Sequence, residues 1–133
     1  ILDYMNKEDD FVINLLSFGY KNGISDDFDL VFDMRFLPNP FYIEELKDLN
    51  GSDPKLKDYL DGFVVVDEFE KILVNLLQTL IPEYKNQGKN NLTIAFGCTG
   101  GKHRSVYMCE RIYRLLDEKD FILVKKHREK EKW

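Results

Sequence analysis

Short apolar runs alternate with longer amphipathic stretches along this chain. Four runs, at residues 11–17, 30–35, 92–96 and 121–124, are compact and dominated by aliphatic or aromatic side chains, so each is predicted to be a strand. The stretches between them carry helical periodicity. Strands that alternate with helices favour an α/β fold with a largely parallel sheet and flanking helices.

The strongest helical signal lies between residues 69 and 81, where apolar side chains recur at helical spacing on one face. Asp67 or Glu68 can cap the start of this helix, and Gly88 is expected to close it. Pro82 is expected to kink the helix or to end it early, because proline lacks the N–H that a helix interior uses.

Two further helices are predicted. One covers residues 54–61, with Pro54 in its first turn and Ser52 or Asp53 as its cap. The other starts near Arg104, and its inner face is formed by Cys109, Ile112, Tyr113 and Leu116.

Composition restricts the class of protein. With 44% hydrophobic residues, ten Phe and seven Tyr, residues 1–133 can form a single compact domain, and a disordered or collagen-like chain is excluded. No apolar run approaches the roughly 20 residues of a membrane span, and no signal peptide opens the chain, so no membrane partner is expected. Two cysteines do not make a disulfide framework, which predicts a cytoplasmic location. The start at Ile1 suggests a piece of a longer protein.

The net charge of −5 hides an uneven distribution. Residues 1–70 hold 17 acidic and 6 basic side chains, whereas residues 71–133 hold 7 acidic and 13 basic ones. Such a split is typical of a partner-binding face, and it is equally consistent with two halves that attract each other inside the fold.

The segment 97–105, Gly-Cys-Thr-Gly-Gly-Lys-His-Arg-Ser, joins a predicted strand to a predicted helix. In open α/β sheets, ligands bind beyond the carboxyl ends of the strands. Three glycines let the backbone approach a ligand, the helix start presents free N–H groups, and the basic and hydroxyl side chains add further donors. These features favour an anion site, most of all for phosphate, over a turn that only packs strand on helix. The predicted ligand residues in this loop are Thr99, Gly100, Gly101, Lys102, His103, Arg104 and Ser105.

Three mechanisms could use this loop. A nucleotide P-loop fails, because Gly97 precedes Gly101-Lys102 by one residue too few and His103 stands where a Ser or Thr is required. A cysteine phosphatase remains an alternative, because Cys98 and Arg104 have the Cys-x5-Arg spacing and a thiol at a helix N-terminus is activated. It would need a general acid, for which only Asp33 is a candidate. A phosphosugar or phosphometabolite site without a catalytic residue uses the same groups and is preferred.

Asp33 and Arg35 are spaced to lie on one side of the second strand, just before a loop fixed by Pro38 and Pro40. Either the two side chains form a salt bridge, or Asp33 meets sugar hydroxyls or an amine while Arg35 meets phosphate. The ligand role is favoured. With His103 and His127 as the only histidines and no cluster at metal-ligand spacing, a metal site is not expected.

Several blocks resemble the C-terminal domain of the RNase adapter protein RapZ and its nucleotide-binding relatives: residues 17–23 (SFGYKNG), 32–40 (FDMRFLPNP), 92–94 and 97–105. The resemblance covers nearly the whole chain. It implies a domain similar to a phosphofructokinase subdomain, preceded in full-length members by a P-loop domain that binds ATP or GTP. It therefore implies that this domain itself holds no cofactor.

The resemblance also implies partners and ligand residues. In enterobacterial members the domain binds an amino-sugar phosphate and a small regulatory RNA, and it self-associates, so a homo-oligomer is expected. The positions that match the family pattern and carry over to the ligand pocket are Asp33, Arg35, Asn39, Thr99, Gly100, His103 and Arg104. Phe41 departs from the adapter branch, which has a His after the Pro-Asn-Pro turn.

Residues 125–133 carry five cations and two acids and resemble the basic end that contacts RNA in the adapter branch. Phosphate contacts are predicted for Lys125, Lys126, Arg128 and Lys130, and Trp133 could stack on a base. A solubilising terminus is the alternative. Together the observations predict a sensor or adapter domain that binds a phosphorylated small molecule and has no catalytic residue.

Overall fold

The computed structural model describes residues 10–116 and 120–133. Over these residues the strands are β1 (Val12–Gly19), β2 (Leu30–Asp33), β3 (Asn91–Cys98) and β4 (Ile122–His127). They form one four-stranded sheet in the order β2-β3-β1-β4, and each pair of neighbours is parallel. The described helices are α1 (Pro54–Asp61), α2 (Val64–Asn86) and α3 (Arg104–Leu115). The α/β class with a parallel sheet is therefore confirmed.

The hydrophobic core lies between the helices and one face of the sheet. Alternate residues of β1 and β3, among them Ile13, Leu15 and Ile94, are fully buried in one cluster with side chains of all three helices. On the other face of the sheet, the side chains of Val31, Ile122 and Val124 remain more than a third exposed. The alternation follows from the two-residue period of a strand.

Helix α2 is longer than the sequence predicts. It begins at Val64, with Phe63 as N-cap and no side-chain hydrogen bond, and not at Asp67 or Glu68. The fully buried Val66 fixes this first turn in the core. The prediction that Pro82 could end the helix early was wrong: α2 continues to Asn86, because buried Ile81 anchors the turn around the proline.

The predicted end of α2 and the predicted cap of α1 are both confirmed. Gly88, with φ of 83°, follows α2 and donates to the carbonyl of Lys85, so it closes the helix as expected. Asp53 caps α1 by accepting from the Lys55 N–H, with Pro54 in the first turn.

All four strands end at residues other than the predicted ones, and β1 and β3 each continue two residues further, to Gly19 and Cys98. β2 ends at Asp33 and not at residue 35, because the Asp33 carboxylate accepts the Arg35 N–H and folds the chain into a turn. β4 continues through Lys125 and Lys126 to His127, pairing in parallel with β1. The predicted basic tail is therefore partly a strand, which the cations do not prevent because β4 is an edge strand. No helix within the described residues is long and apolar enough to cross a membrane.

Candidate functional site

The segment 97–105, called the 97–105 loop below, contains the end of β3, the connecting residues 99–103 and the first two residues of α3, at the carboxyl edge of the sheet. Neighbouring backbone supports it there: the Lys21 N–H donates to the Thr99 carbonyl over 3.2 Å, and the Gly51 N–H donates to the Lys102 carbonyl over 2.8 Å. The loop is thus held from the end of β1 and from the segment before α1. This is the edge at which parallel α/β sheets bind ligands.

Glycines at two positions make this close packing sterically allowed. A Cβ on Gly19 would lie 2.5 Å from the carbonyl carbon of Gly100. Gly101 has φ of 74°, and a Cβ there would lie 2.6 Å from the backbone nitrogen of Gly19. Gly19 must be glycine because a side chain would collide with the Gly100 backbone. Gly101 must be glycine both because its backbone packs equally closely and because its φ is positive.

A cavity of about 520 Å³ opens in front of the loop. Six of the ten predicted ligand residues line it: Asn39, Thr99, Gly100, Lys102, His103 and Arg104. The lining also includes three cations from other elements, Lys21, Lys47 and Lys132, against one carboxylate, Asp48. The positive field of this cavity favours an anionic ligand.

Arg104 holds the cavity and the β2 turn together. Its side chain is buried, and Nη1 donates to the carbonyls of Arg35 and Leu37 over 2.9 and 3.1 Å. Its Nε is buried and has no hydrogen-bond partner among the described residues. A buried donor without a partner costs free energy, so the position of Arg104 is held by its other contacts.

His103 is a neutral structural contact of the cavity wall. Its Nε2 donates to the Lys47 carbonyl over 2.9 Å. Burial lowers the pKa of His103, and the positive charges of Lys102 and Arg104 lower it further against the opposing effect of backbone hydrogen bonds. The imidazole therefore supplies a fixed polar edge and not an additional cation at neutral pH.

Asp33 and Arg35 form the salt bridge that was the less favoured alternative. Arg35 Nη2 lies 2.6 Å from Asp33 Oδ2, and the guanidinium stacks over the Tyr20 ring at 4.1 Å. The hydrogen bond from Arg35 lowers the pKa of Asp33 below its usual range. Neither residue lines the cavity, so their ligand role stays a prediction.

Gly101 and Ser105 also lie outside the lining. Ser105 is fully buried and accepts a hydrogen bond from the thiol of Cys98, whose Sγ is 3.1 Å away. Cys98 lines the cavity but is 97% buried. With its thiol bonded to Ser105 and the Asp33 carboxylate bound to Arg35, nothing in this geometry supports the phosphatase alternative.

The four predicted RNA contacts fall into two classes. Lys125 is bound to Glu110 over 3.0 Å and lies over the Tyr113 ring, and Arg128 donates to the carbonyls of Gly19 and Gly23. Both support the fold. Lys126 and Lys130 are exposed at the surface.

Residues 128–133 belong to the site, which sequence reasoning missed. Glu129 is buried and accepts the Gly19 N–H over 3.0 Å, and both Lys132 and Trp133 line the cavity. A signal existed in the sequence. An acid flanked by cations in a strongly basic stretch, Arg128-Glu129-Lys130, is a candidate for a buried charge-assisted acceptor.

Comparison with known proteins places this geometry in a family. The family described as the RapZ C-terminal domain matches residues 11–131, which include β1–β4, α1–α3 and residues 97–105. The chain belongs to this family.

Relatives of this RapZ C-terminal domain share about half of its sequence. A nucleotide-binding protein of Alkaliphilus oremlandii is 48% identical over 124 residues, 93% of this chain and 43% of the relative. Those of Thermoanaerobacter sp. and Clostridium novyi are 51% and 50% identical, covering 89% and 92% of this chain and 42% of each relative. The chain thus spans less than half the length of these relatives.

Proposed function

We propose that this domain binds a phosphorylated small molecule of sugar-phosphate size and acts as a sensor or adapter. One observation carries the proposal: the N-terminus of α3 and the buried Arg104 guanidinium meet at one cavity. The N–H groups and dipole of a helix start favour an anion. The positive charge of the Arg104 guanidinium, which lies in the cavity wall, favours a phosphate further.

The cavity volume and lining suit a small polar ester. About 520 Å³ lies within the range of small-molecule pockets, roughly 300–1,000 Å³. The amide of Asn39 and the carboxylate of Asp48 provide partners for sugar hydroxyls or an amine. Phe41 stands where the adapter branch has His, so we expect recognition here to depend on the phosphate more than on an amino group.

Binding is favoured over hydrolysis because Cys98, the one thiol in the described cavity lining, is 97% buried. The Cys98 thiol donates to Ser105, and the one candidate acid, Asp33, is an ion-paired carboxylate. The two functions are distinguished with p-nitrophenyl phosphate. We expect no turnover, whereas turnover that disappears in Cys98→Ser would favour the phosphatase.

Two observations support a site for nucleotide, after which the relatives are named, outside these residues. The relatives are more than twice as long as the matched part, and the 97–105 loop lacks P-loop spacing. We propose that ATP or GTP binds elsewhere in a protein of that length and that this domain holds no cofactor.

RNA and a second copy of the chain are further candidate partners. The exposed Lys126 and Lys130 favour an RNA phosphate contact. Ile72 and Leu76, on one face of α2, are 68% and 40% exposed, which favours self-association through that helix.

The binding function is tested by titration calorimetry with inorganic phosphate, glucose 6-phosphate, glucosamine 6-phosphate and unphosphorylated glucose. We expect saturable binding of the phosphate esters and none of glucose. Equal heats for glucose and its phosphate, or no binding of any ester, would overturn the proposal.

A further inference from the structure

Trp133 forms part of the cavity wall through two specific contacts. Its indole Nε1–H donates to the Gly101 carbonyl over 3.1 Å. Its ring packs on the His127 imidazole with the centroids 5.7 Å apart. His127 is itself held at both nitrogens, by Ser17 Oγ and by Glu110 Oε2, each at 2.6 Å. The indole therefore rests on a fixed surface.

The segment that carries Trp133 is anchored to the sheet. The Arg128 N–H donates to the Ser17 carbonyl over 2.9 Å, and the Glu129 carboxylate binds the Gly19 N–H and the Arg128 guanidinium. The Lys132 N–H then donates to the Glu129 carbonyl over 2.8 Å. Buried, charge-assisted contacts of this kind hold a segment in a single position.

The hydrogen bond from the Trp133 indole constrains the backbone of the 97–105 loop. The Gly101 carbonyl and the Lys102 N–H belong to one planar trans peptide unit, in which they point in opposite directions. Fixing the carbonyl therefore fixes the direction of the N–H. Gly101 has φ of 74°, a conformation that glycine adopts readily, so the hydrogen bond from Trp133 adds a constraint to its backbone.

We propose that Trp133 positions the 97–105 loop and also contacts the ligand, with its ring against the carbon skeleton of a phosphate ester. The inference rests on the proposed binding function and makes the ligand class more specific. Lys132 and Lys102, which line the same cavity, bind the phosphate, and the Trp133 face packs on the apolar face of a sugar ring. Inorganic phosphate has no carbon skeleton, so it binds to Lys132 and Lys102 without packing on the Trp133 ring.

The sequence provides its own reporter, because Trp133 is the single tryptophan. Glucosamine 6-phosphate is titrated into the chain while tryptophan emission and calorimetric heat are recorded on matched samples. We expect a saturable change in tryptophan emission, with a midpoint concentration equal to that of the calorimetric titration. We also expect weaker quenching of this emission by acrylamide at saturation. Calorimetric binding with unchanged emission and quenching would overturn the inference and leave the binding function standing.

Two substitutions separate positioning from contact. Trp133→Phe keeps a ring and removes the N–H, so we expect about fivefold weaker binding of both inorganic phosphate and glucosamine 6-phosphate. Trp133→Leu also removes the ring, and we expect about a further threefold loss for the sugar phosphate alone. Lys55→Ala, an exposed substitution on α1 away from the cavity, is the control and should bind as the wild type does.

The outcomes are distinguishable. Wild-type affinity in both Trp133 variants, with melting temperatures equal to that of the wild type, would overturn the inference alone. Absence of calorimetric binding of any phosphate ester to the wild type would overturn the inference and the proposed function together. If a variant fails to fold, the emission and quenching titrations of the wild-type chain decide.

Discussion

Arg104 donates a hydrogen bond from Nη1 to the carbonyl oxygen of Leu37, 3.1 Å away, while its Nε remains without a partner among the described residues. One side chain thus closes the turn after β2 and also lines the cavity in front of residues 97–105. Arg104, which the sequence predicted to bind the ligand, therefore has a structural role as well. Its substitution will therefore change both stability and binding.

Substitutions at Arg104 and Lys102 should differ for this reason. Arg104→Ala removes two hydrogen bonds to backbone carbonyls, and we expect it to lower the free energy of unfolding by about 1–3 kcal/mol and to weaken phosphate-ester binding. Lys102→Ala should weaken binding at nearly unchanged stability, because the half-buried Lys102 contributes charge without a structural contact of that kind. Urea denaturation and calorimetry measure the two effects. Equal stability of both variants would contradict the dual role of Arg104.

Glu129 gives the fold an acid-sensitive contact. Burial raises the pKa of this carboxyl, but the Gly19 N–H and the Arg128 guanidinium overcome burial and lower it below its usual value. A lowered folded-state pKa stabilises the protein above the unfolded pKa, and this stabilisation is lost as the pH falls through the folded one. Glu129→Gln should therefore cost about 1–3 kcal/mol at pH 7, and the difference from the wild type should shrink below about pH 4. A difference that stays constant from pH 7 to pH 3 would contradict this account.

Two glycines with nearly the same backbone conformation offer a matched comparison. Gly88 and Gly101 have φ of 83° and 74°, but a Cβ at Gly88 would meet nothing within 4 Å, whereas at Gly101 it would meet Gly19 and Glu129 at 2.6 Å. Gly88→Ala should cost only the backbone strain, about 1–2 kcal/mol. Gly101→Ala should cost at least about 2 kcal/mol more, because a small-to-large change in a tight contact adds its own penalty. Denaturant unfolding would show equal losses if the loop did not pack as described.

The α/β class could be predicted from the sequence because short apolar runs alternate with amphipathic helical stretches along the chain. The same reasoning failed at Pro82 and at residues 125–127, where tertiary contacts override local preference. Ile81 is buried on the near side of the proline, and parallel pairing with β1 extends β4 through Lys126. Local patterns do not contain these long-range contacts.

The position of residues 97–105 between a strand and a helix could be predicted because the segment is contiguous in the sequence. The wall of the cavity formed by residues 128–133 could not be predicted. Trp133 and Gly101 are 32 positions apart, and Glu129 and Gly19 are 110 apart. The charge of the stretch around Glu129 suggested solvent or RNA, whereas the fold uses that carboxylate to bind a buried backbone N–H.

RNA binding, if present, should depend on half of the predicted cations. Lys126→Ala with Lys130→Ala should lower the slope of log K against log salt by about 1–2 units, since each phosphate contact contributes about 0.7–0.9. Stability should be unchanged, because both side chains are exposed. Arg128→Ala, by contrast, should lower the melting temperature through its bonds to Gly19 and Gly23. Gel shifts over a salt series test this, and an unchanged slope in the double variant would remove RNA from the candidate partners.

The most direct measurement is an amide chemical-shift titration of the ¹⁵N-labelled chain with glucosamine 6-phosphate, with glucosamine as the control. An anion at the α3 N-terminus must change the N–H resonances closest to it, so the largest saturable shifts are expected at residues 99–104, with smaller ones at Lys21 and Trp133. Glucosamine, which lacks the phosphate, should leave residues 99–104 unchanged. Shifts that cluster away from this loop, or that are the same for both compounds, would contradict a phosphate site at residues 99–104.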